Sequence, residues 1–220
     1  MKDKMVDVLD KPGNLTGLTE EEKLTKKAYD NSAAAWATYF NAAEGWKDEL
    51  KKFHKLLPNG RILEIGAGTG RDAENLVNLG YDYTGTDISD ELLKKAREKL
   101  PQQKFIQMSL YNLKFPEKFD GFWASAVLLH IPKNKVDRAL QKIKSTQKKN
   151  AIGFISIKDG KGNEFSDREM GGINTTRFFE YWSRQDFEKV LKKNGYKVMN
   201  YDYRTVTKNT QWHMFIVRVL

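Results

Sequence analysis

The chain has 220 residues, of which 40% are hydrophobic and 12% aromatic, so it can bury one sizeable core and fits one domain better than two. It has no cysteine, which excludes disulfides, thiolate metal sites and cysteine nucleophiles, and we expect a cytoplasmic protein without a metal site. The net charge of +9 fits either a polyanionic partner or a solvated, lysine-rich surface. Residues 1–18 have the pattern of neither a signal peptide nor a membrane span.

Helices are predicted first along the chain, and an alternation of strands and helices follows them. Residues 20–57 are predicted to form two helices that carry several aromatic side chains. From Gly60 onward, short apolar runs alternate with longer helical patterns, as is typical of βαβ units around a mainly parallel sheet. The predicted strands are residues 61–65, 81–86, 104–107, 119–124 and 151–157, and the helices between them are residues 71–79, 90–100 and 133–147.

The last third of the chain departs from this alternation. Asp159 to Asn174 is a polar, glycine-rich stretch, predicted as a loop that is either a lid or a loose surface connection. A helix over residues 183–193 and two strands, 197–205 and 211–219, complete the chain, and the strands pair as a hairpin. We therefore predict an α/β fold with a doubly wound, mainly parallel seven-stranded sheet, an antiparallel C-terminal edge pair and N-terminal covering helices.

A glycine loop follows the first predicted strand directly, in the sequence ILEIGAGTGRD over residues 62–72. Glycine is needed in such a loop because a bulkier residue would block the sharp turn or hold a ligand away from the backbone. Asp87 ends the second predicted strand, about 20 residues after the loop, where an acid can accept hydrogen bonds from both ribose hydroxyls of an adenosine. The alternative is a glycine turn that binds no ligand.

The spacing of this loop argues against a nicotinamide dinucleotide. The dinucleotide fingerprint needs a third small residue where Arg71 stands, whereas the third glycine, Gly70, comes one position early. Asp72, in the first turn of the following helix, would also repel a pyrophosphate at the helix N-terminus. We therefore expect a ligand without a pyrophosphate.

With these residues the chain resembles the class I S-adenosylmethionine-dependent methyltransferases, in the group of small bacterial enzymes with an E-x-G-x-G-x-G loop after the first strand. The resemblance runs from about Tyr29 to the C-terminus and implies a methyltransferase with S-adenosylmethionine as its cofactor. It implies that Gly66, Ala67 and Gly68 approach the methionine part of the cofactor. Glu64 would then steady the loop, while the ribose is bound by Asp87.

The same resemblance implies further cofactor contacts. Ile88 would lie on one face of the adenine, and Arg71 would reach the methionine carboxylate. Tyr29 and Trp36 would cover the cofactor from the N-terminal helices, or belong to the core. Ala124, in the fourth strand, would face the amino group of the cofactor.

The segment after the third strand contains a departure from the family pattern. Met108, Ser109 and Leu110 stand where relatives commonly have a small residue, an acid and an apolar residue. The acid normally binds the adenine amino group, and the neutral hydroxyl of Ser109 should bind it more weakly. His130 would lie near the acceptor pocket, in a catalytic role or in a helix-capping or packing role.

The acceptor is the least defined part of the prediction. Methyl transfer needs an in-line nucleophile in a dry pocket more than a dedicated side chain, so no catalytic motif is required. Cytosine C5 methylation is excluded because it needs a cysteine, and the D/N-P-P-Y/F loop of enzymes that methylate base amino groups is missing. The acceptor-binding residues predicted in the C-terminal part are Lys158, Arg177, Tyr181 and Trp212.

We predict one methyltransferase domain over residues 1–220. Residues 1–57 would form a tail and covering helices, residues 60–157 the cofactor-binding core, and residues 158–220 the acceptor side. The leading function is O- or N-methylation of a small molecule; the alternatives are methylation of RNA or protein, and a catalytically silent cofactor-binding module. The lysine-rich helix over residues 133–147 is the candidate nucleic-acid surface. The oligomeric state stays open.

Overall fold

A computed structural model of the protein describes residues 14–42, 45–208 and 210–220, so most of the predicted N-terminal tail lies outside the described residues. The strands are β1 (Arg61–Ile65), β2 (Asp82–Asp87), β3 (Lys104–Gln107), β4 (Phe119–Ser125), β5 (Gln147–Lys158), β6 (Asn163–Met170), β7 (Ile173–Glu180), β8 (Tyr196–Thr207) and β9 (Thr210–Val219). The helices are α1 (Glu20–Asn31), α2 (Ala33–Ala42), α3 (Lys47–Leu56), α4 (Arg71–Asn78), α5 (Asp90–Lys99), α6 (Lys133–Ser145) and α7 (Arg184–Lys193).

The central sheet has seven strands in the order β3-β2-β1-β4-β5-β9-β8. The first five of these pair in parallel, and β9 runs antiparallel to both of its neighbours, β5 and β8. The predicted fold class is therefore confirmed, including the antiparallel edge pair at the C-terminus. Ser89 caps α5, because its hydroxyl accepts a hydrogen bond of 3.1 Å from the backbone of Leu92.

Two hydrophobic cores lie on opposite faces of the sheet. Neighbouring residues of β4 alternate between them: Phe122 packs with α6 and α7, whereas Trp123 packs with α3 and α4. This alternation follows from the two-residue repeat of a strand. A crossover helix such as α6 therefore buries Leu140 and Ile143 in one core and turns its lysines outward.

The structure corrects three of the predicted elements. Residues 20–57 form three helices instead of two. Helix α1 ends at Asn31, and Ser32 separates it from α2 and donates its hydroxyl to the carbonyl of Ala28 at 2.7 Å. Helix α6 ends at Ser145, so Lys148 lies on β5. No helix in the described part of the chain is long and apolar enough to cross a membrane.

The third correction concerns Asp159 to Asn174, where most of the predicted loop belongs to an antiparallel hairpin of β6 and β7. Its turn is Gly171-Gly172, with φ of +60° and +79°, a conformation that glycine adopts readily. The sequence pattern did not predict β6 as a strand. This strand is almost wholly exposed and polar, so it lacks the apolar alternation of a half-buried strand. The other strand, β7, packs on α1, where Phe178 donates its backbone N–H to the hydroxyl of Thr25 at 3.0 Å.

Candidate active site

The glycine loop between β1 and α4 is held by backbone hydrogen bonds. The N–H groups of Gly66 and Ala67 both donate to the carbonyl of Thr86, at 2.7 and 2.9 Å. Gly66 has a φ of +73°, and a Cβ there would lie 2.3 Å from Val127, so the turn admits no larger residue. A Cβ at Gly68 would meet no atom within 4 Å, so the loop leaves open space beside its backbone at this position.

That open space belongs to a cavity of about 720 Å³ at the carboxyl ends of the parallel strands. The cavity extends from Asp87, at the end of β2, to Lys158, at the end of β5, with β1 and β4 between them in the sheet. Four neighbouring strands span roughly 14 Å. The predicted site residues that line the cavity are Tyr29, Trp36, Glu64, Gly66, Ala67, Gly68, Arg71, Asp87, Ile88, Met108, Leu110, His130, Lys158, Arg177 and Trp212.

Three predicted site residues lie outside the cavity lining. Ser109 is fully buried, and its hydroxyl accepts from the backbone of Tyr111 at 3.2 Å, which caps a short 3-10 turn instead of facing an adenine. Ala124 is also fully buried and points into a core, because strand alternation turns its neighbour Ser125 to the cavity. Tyr181 donates its hydroxyl to Glu164 on the exposed strand β6.

Asp87 offers acceptor positions that suit the hydroxyls of a ribose. Its two carboxylate oxygens accept backbone N–H groups from Gly68 and Ser89, each at 2.9 Å. A carboxylate has about four acceptor positions, so two remain for the two hydroxyls of a ribose. Burial raises the pKa of Asp87 to about 6, which leaves the carboxylate mostly ionised at neutral pH. The chemistry of this site therefore fits an adenosine.

Glu64 lies beneath the glycine loop and is 2% exposed. The hydroxyl of Tyr83 donates to its carboxyl group. Burial and the nearby negative charge of Asp72 raise the pKa of Glu64 well above its ordinary value. A buried carboxyl group fixed by a tyrosine fits the predicted role of steadying the loop.

Arg71 is held in the cavity lining by the carboxylate of its neighbour Asp72. Its guanidinium donates to both oxygens of Asp72, at 2.7 and 2.9 Å, and to the hydroxyl of Ser125 at 3.3 Å. Asp72 also accepts from the indole N–H of Trp123 at 2.9 Å. Burial alone would raise the pKa of Asp72, but the adjacent guanidinium holds it below its ordinary value. No sequence signal indicates this pair, since adjacent helical residues seldom face each other.

A chain of hydrogen bonds joins three residues on the other side of the cavity. Nδ1 of His130 lies 2.6 Å from the carbonyl oxygen of Phe178, and because a carbonyl only accepts, Nδ1 carries the proton. Nε2 is then an acceptor, and the hydroxyl of Tyr29 donates to it at 3.0 Å. That hydroxyl in turn accepts from Nη1 of Arg177 at 3.2 Å. Tyr29, predicted to cover the cofactor, is thus bonded to residues expected near the acceptor.

Burial, together with the positive charges of Arg177 and Lys158, lowers the pKa of His130 to about 3. The imidazole is therefore neutral over the physiological pH range. Both of its nitrogens already have partners, which favours a packing role for His130 over a catalytic one.

Known proteins resemble this chain in sequence and in fold. The family of methyltransferase domains matches residues 62–150. The chain carries a class I S-adenosylmethionine-dependent methyltransferase domain. The structure resembles that of the 1,6-didemethyltoxoflavin-N1-methyltransferase of Burkholderia thailandensis with bound S-adenosylhomocysteine. The TM-score is 0.73 and the identity 16%, and the match covers 96% of this chain and 93% of that one. The structure also resembles an S-adenosylmethionine-dependent methyltransferase of Clostridium acetobutylicum, with a TM-score of 0.68 and 15% identity, covering 87% and 98%.

Two curated relatives also match this chain in sequence. A trans-aconitate 2-methyltransferase of Rhodopseudomonas palustris is 36% identical over 75 residues, and the match covers 33% of this chain and 29% of that protein. The uncharacterized protein MJ1123 of Methanocaldococcus jannaschii is 29% identical over 176 residues, covering 77% and 80%. The chain thus matches less than a third of the length of the trans-aconitate enzyme. These findings confirm the predicted family, its fold and S-adenosylmethionine as its cofactor.

Proposed function

We propose that this methyltransferase transfers a methyl group from S-adenosylmethionine to an oxygen or nitrogen of a small-molecule acceptor, within one domain that comprises residues 1–220. The observation that carries the proposal is a single cavity that brings Asp87 and Gly68 together with Arg177 and Trp212. Its volume of about 720 Å³ is in the range of small-molecule sites. When bound, S-adenosylmethionine supplies a methyl group on a positively charged sulfur.

Different residues of the chain would hold the two ligands. Asp87 would accept the ribose hydroxyls, the loop at Gly66, Ala67 and Gly68 would approach the methionine part, and Arg71 would face the methionine carboxylate. Arg177, Lys158 and Trp212 would contact the acceptor. Trp46 and Ser125, which sequence reasoning had missed, line the same cavity, and the indole N–H of Trp46 donates to the hydroxyl of Ser125 at 2.6 Å.

A small acceptor is favoured over a nucleic acid by the position of the basic helix. The lysines of α6 are absent from the described cavity lining, and Lys148 pairs with Asp120 at 2.8 Å. The proteins named in the comparisons include enzymes for trans-aconitate and for 1,6-didemethyltoxoflavin, which are small molecules. These names support the size of the acceptor proposed here.

Calorimetric titration with S-adenosylhomocysteine and with NAD tests the cofactor part of the proposal. We expect the first to bind and the second to give no signal, because the loop lacks the dinucleotide spacing. Incubation with labelled S-adenosylmethionine and a cell extract divided by filtration into small molecules, RNA and protein tests the acceptor part. Label in the small-molecule fraction supports the proposal, and label confined to RNA or protein contradicts it.

A further inference from the structure

The cavity lining contains five cationic side chains of lysine and arginine, and they fall into two groups. Arg71 pairs with Asp72, and Arg204 pairs with both oxygens of Glu49 at 2.8 and 2.9 Å. For the other three, no carboxylate of the described residues lies within 4.0 Å. These three form the cationic cluster, which consists of Lys158, Arg168 and Arg177.

Arg177 is the most buried member of this cluster, with 7% of its surface exposed. Its guanidinium lies over the rings of Trp36 and Phe179, at 4.8 and 5.0 Å from their centroids, and donates to the hydroxyl of Tyr29. Its Nε is buried and has no hydrogen-bond partner among the described residues. Aromatic rings offset only part of the cost of burying a guanidinium, since a buried cation normally requires a hydrogen-bonded anion.

Lys158 adds a second positive charge beside Arg177. Its ammonium group lies 3.7 Å from the centroid of the Phe179 ring. Burial and the charge of Arg177 lower the pKa of Lys158 to about 8. Arg168 lies over the rings of Trp36 and Tyr39, so the third cation belongs to the same aromatic group. Arg168 is exposed, whereas Arg177 is buried and Lys158 half-buried, so these two like charges without a carboxylate within 4.0 Å leave this side of the cavity electrostatically incomplete.

We propose that the acceptor is an organic acid whose carboxylate is bound by Arg177 and Lys158, and that this carboxylate receives the methyl group. The inference rests on the proposed function and specifies its substrate class. A planar guanidinium matches a carboxylate in geometry and charge, and the surrounding rings suit the apolar part of an organic acid. A protonated amine would be repelled by the same cluster.

The state of His130 agrees with an acid as acceptor. An alcohol or amine must lose a proton during methylation, and His130 is a poor base because Tyr29 and Phe178 occupy both of its nitrogens. A carboxylate at neutral pH has already lost its proton. One of its oxygens forms a bond to the methyl carbon while the carbon–sulfur bond breaks and leaves its electron pair on sulfur. The products are a neutral methyl ester and a neutral thioether, and no proton is released.

Binding of carboxylates tests the proposal without the need for turnover. The probes are benzoate, phenylacetate, succinate and citrate, each compared with its amide, titrated into the protein alone and into its S-adenosylhomocysteine complex. We expect at least one acid to bind and its amide to fail. Arg177→Gln should weaken the binding of that acid by about tenfold to a hundredfold, and Arg177→Lys should restore part of it.

Matched variants separate a binding role from a structural one. Lys161→Gln removes an exposed lysine near the same hairpin and should leave binding of the acid unchanged. Lys158→Gln should weaken binding of the acid by about threefold to tenfold. This second variant tests the proposal even if Arg177→Gln does not fold. S-adenosylhomocysteine affinity should be the same in every folded variant. Failure of all four acids to bind, or equal binding of acids and amides, overturns the proposal.

The chemistry of the product gives a second readout. A methyl ester releases labelled methanol in mild base, and its formation leaves the pH of a weakly buffered solution unchanged. A base-stable product formed with one proton released per turnover overturns the proposal while leaving the proposed function intact. If S-adenosylhomocysteine does not bind, the proposed function is wrong, and acid binding to the protein alone still decides whether the cationic cluster is an anion site.

Discussion

The two sides of the cavity differ in how their polar and charged groups are paired. The cofactor side (residues 64–72 and 86–88) uses backbone N–H groups and carboxylates whose partners are already in place. The acceptor side, which consists of Tyr29, His130, Lys158, Arg177 and Phe179, uses long cationic and aromatic side chains, and its charges are unbalanced. The cofactor side is thus organised before a ligand arrives, whereas an anionic ligand would complete the acceptor side.

The largest effect is expected at the cofactor side. Asp87→Ala removes the acceptor proposed for the ribose hydroxyls and should weaken S-adenosylhomocysteine binding by about 1.5 to 3 kcal/mol, which is about tenfold to 150-fold. Calorimetry on the folded variant measures this loss. Asp82→Ala, at the exposed start of the same strand, is the matched control and should have no effect. An unchanged dissociation constant for Asp87→Ala would mean that another group binds the ribose.

A pH dependence of cofactor affinity should accompany this role. Asp87 has a pKa raised to about 6 by burial, and only its ionised form can accept both ribose hydroxyls. Affinity for S-adenosylhomocysteine should therefore be constant above about pH 7 and fall by up to about tenfold for each pH unit below 6. Asp87→Asn should abolish this dependence. A wild-type affinity that stays level down to about pH 5 argues against the assignment.

A smaller effect should decide to which side Tyr29 belongs. Tyr29→Phe removes the hydroxyl between Arg177 and His130, at a cost of about 1 kcal/mol, or about fivefold. We expect kcat/KM for the acceptor to fall while S-adenosylhomocysteine affinity stays the same. Tyr181→Phe, outside the cavity lining, is the control and should change neither. Loss of cofactor affinity in Tyr29→Phe would instead place this residue on the cofactor side, as the family resemblance implies.

The smallest effect is expected far from both sides. Replacement of Lys142, Lys144 and Lys148 by Gln should leave turnover and its salt dependence unchanged, because these lysines lie outside the cavity lining. If the acceptor were a nucleic acid, each lost phosphate contact would reduce the slope of log affinity against log salt by about one. Turnover measured over a range of salt concentrations distinguishes the two outcomes.

The fold and the cofactor side were predictable because their signals are local. The period-two and period-3.6 patterns predict the seven strands of the sheet and the crossover helices, and the loop at Gly66 to Gly70 adjoins its strand in sequence. The errors have local causes too. A polar, exposed strand such as β6 carries no apolar alternation, and the hydroxyl of Ser109 caps a short 3-10 turn.

The α/β fold, the glycine loop and the acid after β2 follow from local sequence patterns, since each of these depends on residues adjacent in the chain or in neighbouring strands. The hydrogen-bonded chain of Tyr29, His130 and Arg177 forms only in the folded protein. His130 lies 101 positions and Arg177 lies 148 positions from Tyr29 along the sequence. The fold also decides which cations of the cavity have a carboxylate partner: Arg71 pairs with Asp72 and Arg204 with Glu49, whereas the cationic cluster has none within 4.0 Å among the described residues. Whether a cation has a carboxylate partner depends on how the helices and the hairpin pack around the cavity. No local sequence pattern specifies that packing.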